Sequence, residues 1–219
     1  MQSGCYQNDR QKVAAAKMAN NEKSQSEHYF TPSPTSECRT YNLVYNSLRH
    51  SIRLKTADGV FSKHGVDFGS DLLIKTIAKE PAAKSILDMG CGYGAVGISL
   101  GKAFGCQVVM CDINQRAVEL AKENAEGMDA DVFQSDGFEN VQGTFDIIAT
   151  NPPIRAGKEI YYRWFTESIN YLNAGGRLYC VIQKKQGAPS AMKHLEGIYG
   201  RCEIIAKDKG YCIIKCIKE

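Results

Sequence analysis

Two short stretches of the chain carry side chains that chemistry could use. The first is the turn Asp88-Met89-Gly90-Cys91-Gly92-Tyr93-Gly94, a carboxylate followed by alternating glycines. Glycine lets the backbone bend tightly and approach a ligand where a β-carbon would clash. The second is Asn151-Pro152-Pro153-Ile154. The Asn151 side-chain oxygen and the Pro152 carbonyl are two acceptors on a stiff loop, suited to a planar amine. An exocyclic amine on a purine is a weak nucleophile because its lone pair is delocalised into the ring. Accepting both amino hydrogens rehybridises the nitrogen, and the prolines hold the carbonyl in place so that little must reorganise.

These residues need a frame that gathers strand ends. Strands are expected at 85–88, 107–112, 130–134 and 145–150, alternating with helices at 95–104 and 115–126. A helix over 158–172, with Ile160, Trp164, Phe165, Ile169 and Leu172 on one face, is expected to close at Gly175-Gly176. A strand at 177–183 and a helix at 190–199 follow, then strands at 202–206 and 211–217 as a hairpin around Lys209-Gly210. Upstream, 43–56 reads as two short strands ending at Asp58-Gly59, and a helix at 70–79 stops before Pro81. This alternation predicts an α/β fold with a largely parallel sheet, covered on both faces, whose ligand lies beyond the carboxyl ends of the strands. Asp88, Asp112, Asp136 and Asn151 all fall at such ends. The expected organisation is a polar tail over 1–27, either mobile or a marginal helix around 13–19, N-terminal strands and a lead-in helix over 28–81, and a cofactor-binding core over 82–219. Residues 28–219 are expected to fold as one domain, entered through the proline-punctuated 28–34.

At 219 residues, 43% hydrophobic and 23% charged, the chain can bury a sizeable core. No apolar run approaches the ~20 residues of a membrane helix. The start of the chain has no signal-peptide core, so a cytoplasmic protein is expected. Nine cysteines without a CxxC pair read as reduced thiols rather than a disulfide framework, and Cys212 with Cys216 on one strand face make no zinc site. No metal is expected. Net charge is +3 but uneven: residues 64–150 carry six Lys/Arg against thirteen Asp/Glu, and residues 151–219 carry twelve against six. The acidic segment suits a cationic cofactor, the basic one a polyanion.

Asp112 ends a strand 20 residues after Gly92, where a carboxylate can accept hydrogen bonds from both ribose hydroxyls, with Ile113 beside it. Asp136 ends the next strand, placed to accept from an adenine amino group. The literal GxGxxG over 92–97 with Asp112 also fits a dinucleotide fingerprint. Asp88 would repel a pyrophosphate and attract an ammonium, which favours S-adenosylmethionine. No cysteine between Cys111 and Cys180 offers a nucleophile for methylation at a pyrimidine carbon, so nitrogen is the expected methyl acceptor. Pro153, Ile154, Arg155 and Lys158 are expected on the substrate side, the two cations beside phosphates.

The segment Val60-Phe61-Ser62-Lys63-His64-Gly65-Val66-Asp67-Phe68-Gly69, the turn from Asp88 to Gly94 and residues 151–158 together resemble the small-domain class I methyltransferases. Within these the chain is most similar to the 16S ribosomal RNA guanine-N2 methyltransferase group, from residue 28 to the C-terminus. The resemblance implies a Rossmann-like fold: a seven-stranded, mostly parallel sheet, helices on both faces, and an antiparallel last strand. It implies S-adenosylmethionine held by Asp88, Gly90, Asp112 and Asp136, an amine engaged by Asn151 and Pro152, and Phe61 and Asp67 packed over the cofactor. The implied reaction is methylation of a guanine N2 amine in small-subunit ribosomal RNA, with that RNA or the small ribosomal subunit as partner. Two features depart from the group. Its members often carry a second, degenerate domain copy that grips RNA, for which this chain is short; and Ile154 stands where an aromatic residue usually stacks on a flipped base. The competing readings are methylation of a protein glutamine amide, and a non-catalytic RNA-binding or ribosome-assembly factor. The glutamine family usually has Tyr after Asn-Pro-Pro and a longer N-terminal helical domain; intact Asp88, Asp112 and Asn151 argue against a loss of catalysis.

Overall fold

The computed structural model describes residues 31–33 and 38–219. The tail 1–27, including the marginal-helix stretch around 13–19, and most of 28–34 lie outside the described residues. β1 (Thr40–Ser47) and β2 (His50–Ala57) form an antiparallel hairpin. Then come α1 (Phe68–Ile77), β3 (Ser85–Met89), α2 (Ala95–Phe104), β4 (Gln107–Asp112), α3 (Gln115–Asn124), β5 (Ala130–Gln134) and β6 (Phe145–Thr150). The chain ends with α4 (Lys158–Ser168), β7 (Leu172–Gln183), α5 (Ala188–Tyr199), β8 (Cys202–Asp208) and β9 (Tyr211–Ile217).

β3 to β9 make one seven-stranded sheet in the order β5-β4-β3-β6-β7-β9-β8. The pairs among β5, β4, β3, β6 and β7 are parallel, and β9 runs antiparallel between β7 and β8. This is the expected Rossmann-like α/β architecture. From β3 the chain winds toward β5, and from β6 it winds toward β7, so the loops leaving β3 and β6 diverge and open a crevice at the carboxyl edge.

Side-chain alternation assigns the two faces. Ile86, Ile147, Tyr179, Val181 and Ile213 pack with Leu73, Ile74 and Ile77 of α1 and Leu100 of α2. Leu87, Met89, Ile148, Cys180 and Ile182 pack on the other face with Tyr161 and Phe165 of α4 and Leu195 of α5. Each such fully buried aliphatic or aromatic side chain contributes ~1.5–3 kcal/mol. α3 covers β4 and is covered in turn by the hairpin, through Ile52, Leu54, Val118 and Ala121. Among the described residues no helix is long and apolar enough to cross a membrane.

Two expectations are corrected. The helix over 158–172 is shorter: α4 ends at Ser168, a 3-10 turn spans Ile169–Tyr171, and Leu172 opens β7 opposite Phe145. Gly175 and Gly176 lie inside that strand rather than at a helix end. A β-carbon on Gly176 would lie 3.0 Å from the Phe145 carbonyl oxygen and 2.8 Å from that of Asn173, so the glycine serves a close backbone approach. Apolar spacing alone carried the helix reading too far, because a buried strand continues the same hydrophobic run. The second correction concerns the thiols. Cys202 and Cys216 face each other in register across β8 and β9 and are joined as a disulfide. The pairing follows from strand register, which the sequence does not display.

Candidate active site

β3 delivers Asp88 and then turns sharply. Asp88 is only 1% exposed, and its Oδ2 accepts from the Gly97 amide of α2 at 2.7 Å. Burial pushes its carboxyl up to about 7, with the nearby Asp112 charge adding to the rise and the Gly97 hydrogen bond opposing it. The Gly90 and Cys91 amides both donate to the Cys111 carbonyl, at 2.9 and 3.0 Å, which folds the turn onto β4. A β-carbon at Gly92 would project into open space, whereas one at Gly90 would lie 3.1 Å from the Trp164 ring; both residues have positive φ.

Asp112, at the end of β4, accepts from the Gly92 amide at 2.8 Å and the Asn114 amide at 2.9 Å. Burial pushes its carboxyl up to about 6. Each oxygen keeps a lone pair for a ligand hydroxyl. Asn114 caps α3 and donates to the Gly59 carbonyl at 2.9 Å, tying the segment after β2 to the cavity rim.

Asn151 leaves β6 on the other side of the crevice. Its Nδ2 donates to Ser70 Oγ at 3.0 Å and to Asp67 Oδ2 at 3.2 Å. Asp67 caps α1, accepting from the Gly69 amide at 2.9 Å. A carboxylate only accepts, so the amide nitrogen of Asn151 must face it and the amide oxygen is turned away. All hydrogen bonds from the Asn151 side chain to described residues use Nδ2.

These groups surround a cavity of about 420 Å³, within the range of cofactor sites (about 300–1,000 Å³). Of the residues expected at the site, Asp88, Gly90, Cys91, Gly92, Asp112, Ile113, Asp136, Asn151 and Pro153 line it, as do Phe61 and Asp67. Gly94, Pro152, Ile154, Arg155 and Lys158 do not. Gly94 instead starts α2, where a β-carbon would meet Ile98 at 2.9 Å. Pro152 is buried and its carbonyl already accepts from the Ile154 amide at 2.8 Å, leaving one lone pair. Ile154 packs against the core, while Arg155 and Lys158 are exposed. Asp136 forms an ion pair with Arg163 of α4.

Ser70, Glu159, Arg163 and Trp164 also line the cavity and were not anticipated there. Trp164 reads from sequence as core, and it is 6% exposed. The available signal was a polar pair four residues apart, Glu159 and Arg163, flanking the apolar Ile160 and Trp164. The site fits S-adenosylmethionine. The open space at Gly92 admits a ligand against the backbone, two buried carboxylates favour a cation, and Asp112 retains acceptors for hydroxyls.

The pattern of the methyltransferase small domain matches residues 51–215. The chain is 44% identical over 199 residues to the uncharacterized protein YbxB of Bacillus subtilis, covering 88% of this chain and 99% of YbxB. It is 33% identical over 175 residues to ribosomal RNA small subunit methyltransferase C of Klebsiella pneumoniae, covering 76% of this chain. The chain spans about half the length of the methyltransferases C it matches: 50% of the Klebsiella protein. Among solved structures, the Thermus thermophilus 16S rRNA N2 G1207 methyltransferase (RsmC), in complex with AdoMet and guanosine, superposes with a TM-score of 0.75 at 24% identity, over 85% of this chain and 52% of that one. The chain therefore belongs to the methyltransferase small-domain family and is an S-adenosylmethionine-dependent methyltransferase.

Proposed function

We propose that this enzyme methylates the exocyclic N2 amine of a guanine in small-subunit ribosomal RNA. The observation that carries the reading is the orientation of Asn151, whose amide nitrogen is held by Asp67 and Ser70 at the cavity wall. The free amide oxygen at the cavity wall is the acceptor for one hydrogen of an amine, and the resemblance assigns the second to the remaining lone pair of the Pro152 carbonyl, which lies behind that wall. S-adenosylmethionine, when bound, supplies an electrophilic methyl group. The protein's own work is positional: Asp112 and Asp88 hold the cofactor, Asn151 and Pro152 orient the amine, and Pro153 borders the acceptor. Orientation of this kind is worth several kcal/mol of barrier. Support for the guanine comes from the relatives, a ribosomal RNA small subunit methyltransferase and a 16S rRNA N2 methyltransferase. An enzyme acting on ribosomal RNA in a bacterial cell works in the cytoplasm.

The test is transfer of labelled methyl from S-adenosylmethionine to unmodified small ribosomal subunits, naked small-subunit RNA and total protein, with the product nucleoside identified. N2-methylguanosine is the expected product. Label confined to protein, as N-methylglutamine, would replace this substrate with the glutamine reading.

A further inference from the structure

The uneven charge of the sequence acquires a location in the fold. The carboxyl edge of the sheet divides at the switch point between β3 and β6. On one side lie Asp88, Asp112 and Asp136. On the other, three successive connections each carry two cations: Arg155 and Lys158 after β6, Lys184 and Lys185 after β7, and Lys207 and Lys209 at the β8–β9 turn.

Register places the last two connections at the same edge as the catalytic loop. β8 runs parallel to β7, because both are antiparallel to β9, and Gln183, Tyr211 and Asp208 stand in one row across the three strands. The Lys184 amide donates to the Gly210 carbonyl at 2.8 Å, joining the two turns. Lys209 Nζ lies 4.6 Å from the centre of the Phe68 ring, and Phe68 follows the Asp67 that holds Asn151. The basic strip is thus continuous with the wall of the cavity. Lys184, Lys185, Lys207 and Lys209 are exposed, and among the described residues none of the six cations forms a salt bridge. The acids beside this strip include Asp67, which is engaged with Asn151 and the start of α1, together with Glu159 and Asp208.

Unpaired cations cost nothing in water, but three pairs of them on adjoining loops repel one another and are relieved by a polyanion. Their span matches one too. Neighbouring strands are ≈ 4.7–4.9 Å apart, so the connections from β6 to β8 cover roughly 15 Å, the reach of a few nucleotides. We infer that this strip is the track of the substrate's sugar–phosphate backbone: an RNA strand leaves the target guanine at Asn151 and runs over Lys184 and Lys185 to Lys207 and Lys209. This rests on the RNA reading above and adds to it the direction in which the strand leaves the site.

The test is the affinity for a naked small-subunit RNA transcript as a function of salt, for the unmodified sequence and two charge-matched variants. One, K184Q/K185Q/K207Q/K209Q, empties the far part of the strip. The other, K79Q/K84Q/K102Q/K122Q, removes four cations from outside the carboxyl edge. Each phosphate contact on a single strand contributes ~0.7 to the slope of log affinity against log salt. The strip variant is expected to lose about 1.5–3 from that slope and to bind at least ~10-fold more weakly at 0.1 M salt, while the control keeps its slope and both bind S-adenosylmethionine normally. Equal slopes in the two variants, with RNA bound by the unmodified chain, would overturn the track and leave the RNA reading standing. No RNA affinity in the unmodified chain, together with methyl transfer to protein, would overturn both.

Discussion

A carboxamide can present its oxygen or its nitrogen, and Asp67 decides which of the two Asn151 offers to the cavity. Asp67 does two things at once: it caps α1 and it accepts from Asn151 Nδ2. The substitution Asp67→Asn separates them. Asparagine caps a helix about as well as aspartate, so the fold should hold its melting midpoint within a few degrees. The new amide can no longer act as a pure acceptor, and Asn151 becomes free to flip. Turnover is expected to fall on the order of 10²-fold, the penalty of a misplaced catalytic group, with the affinity for S-adenosylmethionine nearly unchanged. Calorimetric cofactor binding beside steady-state kinetics checks this. A loss of kcat that merely tracks a loss of folded protein would reduce Asp67 to a cap. Asn151 itself was legible in the sequence because Asn-Pro-Pro after a strand has a chemical meaning. Its dependence on Ser70 was not, because the two residues lie 81 positions apart and only the fold brings them within 3.0 Å.

At the scale of elements, α2 and β4 meet through a glycine. A β-carbon on Gly97 would lie 2.7 Å from Met110 Sδ and 3.1 Å from Asp88 Cβ. Gly97→Ala should therefore overpack this contact and cost ~1–3 kcal/mol, measured by denaturant unfolding. It should also weaken cofactor binding, since the Gly97 amide donates to Asp88. Unchanged stability would mean that Met110 shifts freely and the helix does not need its close approach. Gly97 is the last glycine of the literal GxGxxG, so the same three glycines that suggested a dinucleotide are used here for a turn, a backbone approach and helix packing. The sequence conveyed the strands β4, β5, β6 and β9 and the helix α2 at their observed bounds, because turn residues and caps bracket each one. It misjudged where α4 ends and β7 begins. There the breaking signal is a buried backbone approach at Gly176, not a helix cap. The Cys202–Cys216 pairing was illegible for a related reason, as cross-strand register is a tertiary property.

Across the whole molecule, the sheet's carboxyl edge stores charge that burial disfavours. The carboxyls of Asp88 and Asp112 are pushed by burial up to about 7 and about 6, from an ordinary 3.8. Between these limits the folded chain holds protons that the unfolded chain has released. Stability from these two groups is therefore present below about pH 4 and is lost as pH rises toward 7. The lowered carboxyls, Glu80 and Asp146, act in the opposite sense but only toward acid, below their ordinary values of 4.5 and 3.8. From pH 5 to 8 the ligand-free protein should lose thermal stability, and a bound cation should restore it by favouring the ionised pair. Cofactor affinity should accordingly rise over the same interval, with protons released on binding. Asp88→Asn sharpens the claim. The amide oxygen can still accept from Gly97, and no charge is left to bury. This variant should exceed the parent's melting midpoint only modestly at pH 5 and by a larger margin at pH 8, and bind S-adenosylmethionine more weakly. Melting curves at the two pH values, with and without cofactor, decide it. A variant less stable than the parent at pH 8 would show that Asp88 is held for the fold rather than kept, at a cost in stability, for the cofactor.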